Sequence, residues 1–422
     1  MELDKILDSE RMRTLKPSFG RAFARYFSGR QEILNQVDVE AIKKRAREIK
    51  ERSVNNLQEL KRNAVENLRK NGIRVFEAKD AAEARKLFLE LVPPGEFIVK
   101  TKSNTISEIE LVTELRGRNE LLETDCGDFI VQICGEASIH PVTPALHVSI
   151  ETIVKKIEEK FGVKLENSPE KIIEWVRKHV REKITQSKIG LTGANFISSD
   201  GCILILENEG NISLVSRVPE KHVIIAGIDK IVETSEDAVF LCRVAAIWGS
   251  GTKLPAYINI ISSPSKTSDI EKRTVYGAQG AKEIDLILVD NGRSKMLESM
   301  KELLYCINCG SCLYFCPVYR QIFNQYGLHY LGGIGVVKTA FLNNLLEAVN
   351  RGLYWCTTCS ACKVNCPVGL DVSEMVKNLR SEALNNNLQT EANKKMINNI
   401  RNYGNTIGKI EEGEIPKELY CC

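Results

Sequence analysis

Apolar residues recur every three to four positions through residues 38–70, at Val39, Ile42, Ala46, Ile49, Val54, Leu57, Leu60, Val65 and Leu68. That spacing lays one apolar stripe along a helix, and Asn71-Gly72 supplies a stop signal. Residues 2–70 are predicted to be almost wholly helical. The pattern then changes. A strand is predicted at 73–77, a helix at 81–91, a turn at Pro93-Pro94-Gly95 and a strand at 97–100. A helix at 106–115 and a strand at 123–124 follow, with further strands at 202–207, 222–227, 256–261 and 284–290. Runs such as Cys202-Ile203-Leu204-Ile205-Leu206 and His222-Val223-Ile224-Ile225-Ala226 are near-continuously apolar, without alternation. Strands of that kind are covered on both faces. Strands alternating with helices predict an α/β domain, with the helical arm packed on it.

Beyond Asn291-Gly292-Arg293 the strand signals stop. Helices are predicted at 294–304, 339–350 and 372–386, around two cysteine-rich loops. Residues 388–422 are polar and Asn-rich, which suits a short helix and a loosely held tail. The chain divides into a helical arm (1–70), an α/β domain (71–297), an α-helical cysteine domain (298–386) and a tail (387–422).

The cysteines of that domain form one pattern written twice. Cys306, Cys309, Cys312 and Cys316 precede Pro317; Cys356, Cys359, Cys362 and Cys366 precede Pro367. The spacing C-x2-C-x2-C-x3-C-P is that of two-cluster [4Fe–4S] ferredoxins, in which the fourth cysteine ligates the other cluster. One cluster is therefore expected on Cys306, Cys309, Cys312 and Cys366, and the other on Cys356, Cys359, Cys362 and Cys316. Structural zinc also uses paired C-x2-C motifs, but it calls for neither a third cysteine at x2 nor the Cys-Pro ending. A disulfide framework suits a short secreted chain, not one of 422 residues.

Charge is nearly balanced at +3, which gives no nucleic-acid footprint. The Lys/Arg-rich stretch at 43–52 is interleaved with Glu and apolar residues and reads as the solvated face of a helix. The charged start lacks the apolar core of a signal peptide, and no apolar run has the length of a membrane span. A cytoplasmic, reducing setting is expected. Of the 14 cysteines, those outside the motifs are Cys126, Cys134, Cys202, Cys242, Cys421 and Cys422. The first four lie in apolar surroundings and read as inert thiols. The terminal pair reads as free thiols on a tail, or as reactive ones if exposed.

Polar and glycine-rich strings mark residues 70–297. They include Lys100-Thr101-Lys102-Ser103, Glu123-Thr124-Asp125-Cys126-Gly127, Gly135-Glu136, His140-Pro141 and Thr143-Pro144-Ala145-Leu146-His147. Gly193-Ala194-Asn195-Phe196, Asn208-Glu209-Gly210-Asn211 and Asp290-Asn291-Gly292-Arg293 continue the series. With Cys316-Pro317-Val318-Tyr319-Arg320-Gln321 and the order of motifs, they resemble the lactate-utilisation (LUD) family. Within it, the resemblance is to iron–sulfur subunits that set a LUD domain before two ferredoxin motifs. It implies an α/β LUD domain of sugar-phosphate isomerase/CoA-transferase-like fold, and two [4Fe–4S] clusters. It also implies a place as electron carrier in a complex oxidising L-lactate to pyruvate. The implied partners are a cysteine-rich CCG-motif protein and another LUD-domain protein or a flavin-dependent 2-hydroxy-acid oxidase. Two other readings are a LUD domain that itself binds and oxidises substrate, and a heterodisulfide-reductase-like adaptor.

Candidate ligand residues follow from chemistry and position. Lys102 and Ser103 sit between a strand end and a helix start, where α/β sheets bind anions; the alternative is an ordinary loop. Glu123, Asp125 and Glu136 offer carboxylates for proton transfer or for holding a hydroxyl, or serve as caps and ion pairs. His140 and His147 offer imidazole bases, or are structural histidines. Asn195, Glu209 and Asn211 lie beside glycines, where backbone can approach a ligand or simply turn. The string Gly332-Gly333-Ile334-Gly335 does not match a dinucleotide fingerprint and reads as a packing loop.

Overall fold

The computed structural model describes residue 6 and residues 10–141 and 143–410. The first residues of the chain and the Cys421-Cys422 pair lie outside the described residues. No helix among those described is long and apolar enough to cross a membrane.

The strands, in chain order, are β1 (Arg74–Ala78), β2 (Phe97–Lys100), β3 (Glu120–Glu123), β4 (Ile189–Thr192), β5 (Phe196–Ser198) and β6 (Cys202–Glu207). They continue with β7 (Lys221–Gly227), β8 (Ile231–Val232), β9 (Tyr257–Ile261), β10 (Lys266–Thr267), β11 (Val275–Tyr276) and β12 (Glu283–Val289). The main sheet has the order β1-β12-β7-β4-β2-β3, with every neighbouring pair parallel. Parallel strands need crossovers, and crossover helices cover both faces. That is why the central residues of β7 (Val223–Ala226) and β12 (Leu286–Val289) are apolar on both faces. Val223, Ile225, Ile287 and Val289 fill one core, while Ile224, Ala226, Leu286 and Leu288 fill the other. A smaller mixed sheet, β8-β5-β6-β9, packs beside it, and β10 pairs with β11.

Most predicted elements occur, and the departures have local causes. Hydropathy does not reveal β4 and β5: β4 is four residues long with Gly190 inside it and Thr192 at its end, and β5 is only three. The strand predicted at 123–124 ends at Glu123 instead of starting there. The helix predicted at 106–115 is two, Asn104–Glu108 and Leu111–Leu115, because Glu110 takes a left-handed backbone with φ 54°. The helix predicted at 339–350 is also two, Gly332–Leu342 and Leu345–Asn350. The glycine string at 332–335 is therefore the first turn of a helix, not a loop. Its packing role stands, since a Cβ on Gly335 would lie 2.0 Å from the Tyr330 carbonyl oxygen.

The doubled cysteine motif has a doubled backbone. A 3-10 turn leads into each loop (Lys301–Tyr305 and Leu353–Trp355), and a short helix leads out (Ser311–Phe315 and Ala361–Val364). Asn308 and Thr358 occupy the same motif position and share φ values of 54° and 52°. Left-handed backbone is costly for non-glycine residues. Its recurrence with different side chains makes it a property of the loop.

The helix Glu10–Leu34 does not pack on the α/β domain alone. Phe19 stacks on Phe323 with ring centroids 4.0 Å apart, and Tyr26 stacks on Tyr314 at 3.5 Å. The Tyr26 hydroxyl donates to the Trp248 carbonyl at 2.5 Å. Residues 43–52 are likewise more than a solvated face. Arg47 donates to the Val368 carbonyl and pairs with Glu302, Arg52 pairs with Glu233 and Asp237, and buried Lys50 donates to the Asp229 carbonyl at 2.7 Å. One apolar core runs through the arm, the α/β domain and the cysteine domain without a break.

Candidate functional site

A parallel sheet gathers polar residues at its carboxyl edge, where strands hand over to helix N-termini. Here the strands end at Lys100, Glu123, Thr192 and Gly227, and the strings noted in the sequence follow directly. The first cysteine loop closes over this edge. Between them lies a cleft of ≈ 410 Å³, walled by Lys102, Ser103, Asn104 and Asp128 on one side and by Cys306, Cys309, Cys312 and Cys366 on the other. A second hollow of ≈ 420 Å³ shares Lys102, Ser103, Asn308 and Cys309 with it and adds Asp125, Asn195, Glu209 and Asn211. The helix Ser235–Ser250 supports the loop from behind. A Cβ on Gly249 would lie 2.5 Å from the Cys309 carbonyl oxygen, so only glycine admits this approach.

The charges of the cleft are mostly paired with one another. Lys100 Nζ reaches both carboxylate oxygens of Glu123, at 2.8 and 2.9 Å. Lys102 Nζ lies 3.3 Å from Asp128 Oδ2. Asp125 caps the helix Cys126–Cys134 by accepting from the Asp128 amide, and Glu209 Oε2 accepts from the Cys126 amide at 2.9 Å. Burial pushes the Asp128 carboxyl up to about 6; Lys102 opposes the shift, and Asp125 and Glu123 add to it. Burial and then Asp125 push Glu209 up to about 7. Burial thus favours the protonated form of Asp128 in the first cleft and of Glu209 in the second, with Lys100 and Lys102 in the first.

The structure gathers some of the expected residues and separates others. Lys102, Ser103 and Glu123 line the first cleft; Asp125, Asn195, Glu209 and Asn211 line the second. Glu123 is held by Lys100. Asn195 Oδ1 accepts from the Leu206 amide, and Asn211 donates to Thr124 Oγ1 at 3.2 Å. Glu136, His140 and His147 line neither. His140 is fully buried in an aromatic cage, with ring centroids 5.1 Å from Tyr314 and 6.0 Å from Tyr319. Burial, then Lys102, depress its pKa to about 3, so it stays neutral. His147 faces Glu136 at 3.8 Å.

Three features escape the sequence reading. Asp128 is hidden within an apolar helix. Arg293 binds Glu108 through two nitrogens, at 2.7 and 2.9 Å, and also Asp229; Tyr330 and Asn291 donate to the same Glu108. Its signal lay in the string Asp290-Asn291-Gly292-Arg293, whereas Glu108 gave none. Lys338 is the one charged residue of the helix Gly332–Leu342, and a lone charge in an apolar helix is a signal that could have been used.

The cysteines line two spaces. Cys306, Cys309 and Cys366 line the cleft, Cys316, Cys356 and Cys359 line a smaller cavity, and Cys312 and Cys362 line both. Cys316 thus lies with the second motif and Cys366 with the first. Among the described residues no three Cys, His, Asp or Glu side chains close on a single-ion site; the sulfurs face open spaces instead. Burial pushes the Cys316 and Cys362 thiols up to about 11. The Tyr326 hydroxyl points a buried proton at the smaller cavity with no nitrogen or oxygen partner. Such surroundings suit a polynuclear anion bound by sulfur. Burial raises the pKa of the remaining described cysteines, Cys126, Cys134, Cys202 and Cys242, which disfavours the thiolate form.

Residues 61–289 match the family model of the LUD domain, and residues 302–370 match that of the 4Fe-4S dicluster domain. The lactate utilization protein B of Geobacillus sp. (strain WCH70) is 34% identical over 336 residues, covering 78% of this chain and 69% of its own. That of Bacillus thuringiensis (strain Al Hakam) is 29% identical over 380 residues, covering 88% and 78%. A crystal structure of a DUF162 family protein from Deinococcus radiodurans aligns with 55% of this chain and 98% of its own, at 14% identity. Its TM-score of 0.31 is too low to carry an argument. By domain order, cofactor motif and extent of identity, the chain belongs to the LUD-domain family, in the lactate utilization protein B group that joins this domain to a module for two [4Fe–4S] clusters.

Proposed function

We propose that this chain is the iron–sulfur electron-transfer subunit of a complex that oxidises L-lactate, or a related 2-hydroxy acid, to the 2-oxo acid. The names of its relatives support the substrate class. The observation that carries the reading is the shared wall: the cleft at the sheet edge opens onto the first cysteine set, and Cys312 of that set and Cys362 of the second line both this cleft and the adjoining cavity. Bound in those spaces, [4Fe–4S] clusters accept and pass on single electrons. Cys306, Cys309, Cys312 and Cys366 hold one; Cys356, Cys359, Cys362 and Cys316 hold the other. The exposed Cys359 marks the side from which a partner reaches the second cluster. The chain has no flavin or nicotinamide fingerprint, so a two-electron acceptor belongs to a partner. The expected partners are a CCG-motif protein and a further LUD-domain protein or a flavin-dependent oxidase.

Anoxic purification from the native source should recover such partners, and L-lactate should bleach the cluster absorbance of the complex. A complex that ignores L-lactate and its 2-hydroxy-acid relatives ends this reading. Ligand crossing has its own check. Cys316→Ser should damage the cluster of the second motif, and an EPR spectrum missing only the first motif's signal would refute the pairing.

A second reading, in which the cleft itself binds the hydroxy acid, is favoured by Lys102 and Asp128 standing opposite Cys309 across one cavity. It requires lactate-dependent bleaching of the isolated chain.

A further inference from the structure

Lys338 is 5% exposed and sits in an otherwise apolar helix. Its ammonium donates to Asn308 Oδ1 at 2.6 Å and lies 4.1 Å from the centroid of the Tyr330 ring. Both partners are neutral. The buried acids Asp229 and Glu108 are engaged by Arg293 and Lys230. Asp229 also attracts Lys338, but it makes no hydrogen bond to it and shares its charge with Arg293 and Lys230. A buried ammonium with so divided a counter-charge is unfavourable, so the fold implies a further anion nearby. Asn308 shows where it is. The amide oxygen that accepts from Lys338 is 3.3 Å from Cys306 Sγ, in the cysteine loop that walls the cleft. Four thiolates on a [4Fe–4S] cube leave a net negative charge, and one-electron reduction adds another.

We propose that Lys338 is the built-in counter-cation of the cluster on Cys306, Cys309, Cys312 and Cys366, and that it raises that cluster's reduction potential selectively. Burial alone lowers the potential, because a low dielectric disfavours the more highly charged reduced form. A full positive charge inside the same dry region opposes this and stays in place, since Lys338 is fixed by Asn308 and Tyr330. The electron enters and no proton moves. Among the described residues the second cavity has no buried ammonium counterpart. Tyr326 brings it a neutral hydroxyl, and Arg380 reaches the Cys356 carbonyl from a half-buried position at 2.6 Å, where solvent screens its charge. Clusters with the same ligand spacing thus sit in unlike fields.

The inference rests on the ligand assignment above, and the test separates the two. The full chain, reconstituted anoxically with both clusters, is titrated with dithionite and followed by EPR. Signals are assigned from the Cys316→Ser variant; if the wrong signal disappears there, the assignment fails. With the assignment intact, Lys338→Met is expected to disfavour reduction of the first cluster at least tenfold, about 59 mV for one electron. The second midpoint should stay put, and Lys338→Arg should restore the first. An unchanged first midpoint, or equal shifts in both clusters, overturns the proposal. Should Lys338→Met fail to load, Lys338→Gln serves, because it removes the charge and keeps a donor for Asn308 Oδ1. The same downward shift is expected, and its absence counts equally against the role of Lys338.

Discussion

A residue's burial decided its role more often than its chemical type did. His140 and His147 are the kind of residue expected in an oxidation site, yet they lie away from both clefts. Lys338 carried no motif and stands beside the cysteine loop. Chemical type is readable along the chain, but burial is a sum over neighbours distant in sequence. His222 gives a check at this scale. It is fully buried with Nε2 2.8 Å from Thr192 Oγ1, and burial depresses its pKa to about 3. An unfolded chain takes up a proton there below about 6.5, whereas the folded chain does not until about 3. In that window the unfolded state binds more protons, so stability is full above pH 6.5 and declines as the pH falls. Urea titrations of His222→Gln between pH 7 and 5 should show a shallower decline than the parent chain. The decline should not vanish, because His140 adds the same dependence; an unaltered slope would show that His222 is not the linked group.

Among the elements, those with a long unbroken apolar pattern were legible, and those interrupted by a single backbone feature were not. The crossover helix Ala81–Leu91 has a stripe and a cap at Asp80, and β6 is an apolar run up to Glu207. The split at Glu110 and the helical glycine string depend on contacts that no local pattern records. A close backbone contact between elements is at Gly249, where the helix Ser235–Ser250 meets the first cysteine loop. Gly249→Ala should displace Cys309 and impair loading of the first cluster while sparing the second, as iron content and EPR would register. Normal loading of both clusters would mean that the loop yields at no cost.

For the whole molecule, the arm is the joint. Its aromatic residues pack against the cysteine domain through Phe323 and Tyr314, and its second helix bonds both domains through Arg47 and Lys50. Phe323 is fully buried, and truncating a buried aromatic to alanine costs about 3–5 kcal/mol. Because one core spans the three parts, Phe323→Ala should lower a single calorimetric transition for the entire chain. A cysteine domain that melts separately while the α/β domain keeps its parent transition would contradict that continuity. The doubled motif by itself determined the cofactor and its number, because a cubane needs four thiolates and the x2 spacing lets one loop present three of them. The apolar runs by themselves determined strands covered on both faces, whereas only the tertiary pairing made β7 parallel, and β6 antiparallel, to the neighbouring strands. Tertiary structure alone decided that the first cysteine loop lies over the sheet's carboxyl edge, that Asp128 and Glu209 line adjoining clefts there, and that Lys338 stands behind Cys306. Each of these joins residues far apart in the chain, and the electrostatics of the site depend on distance in space and on excluded water, neither of which a linear pattern encodes.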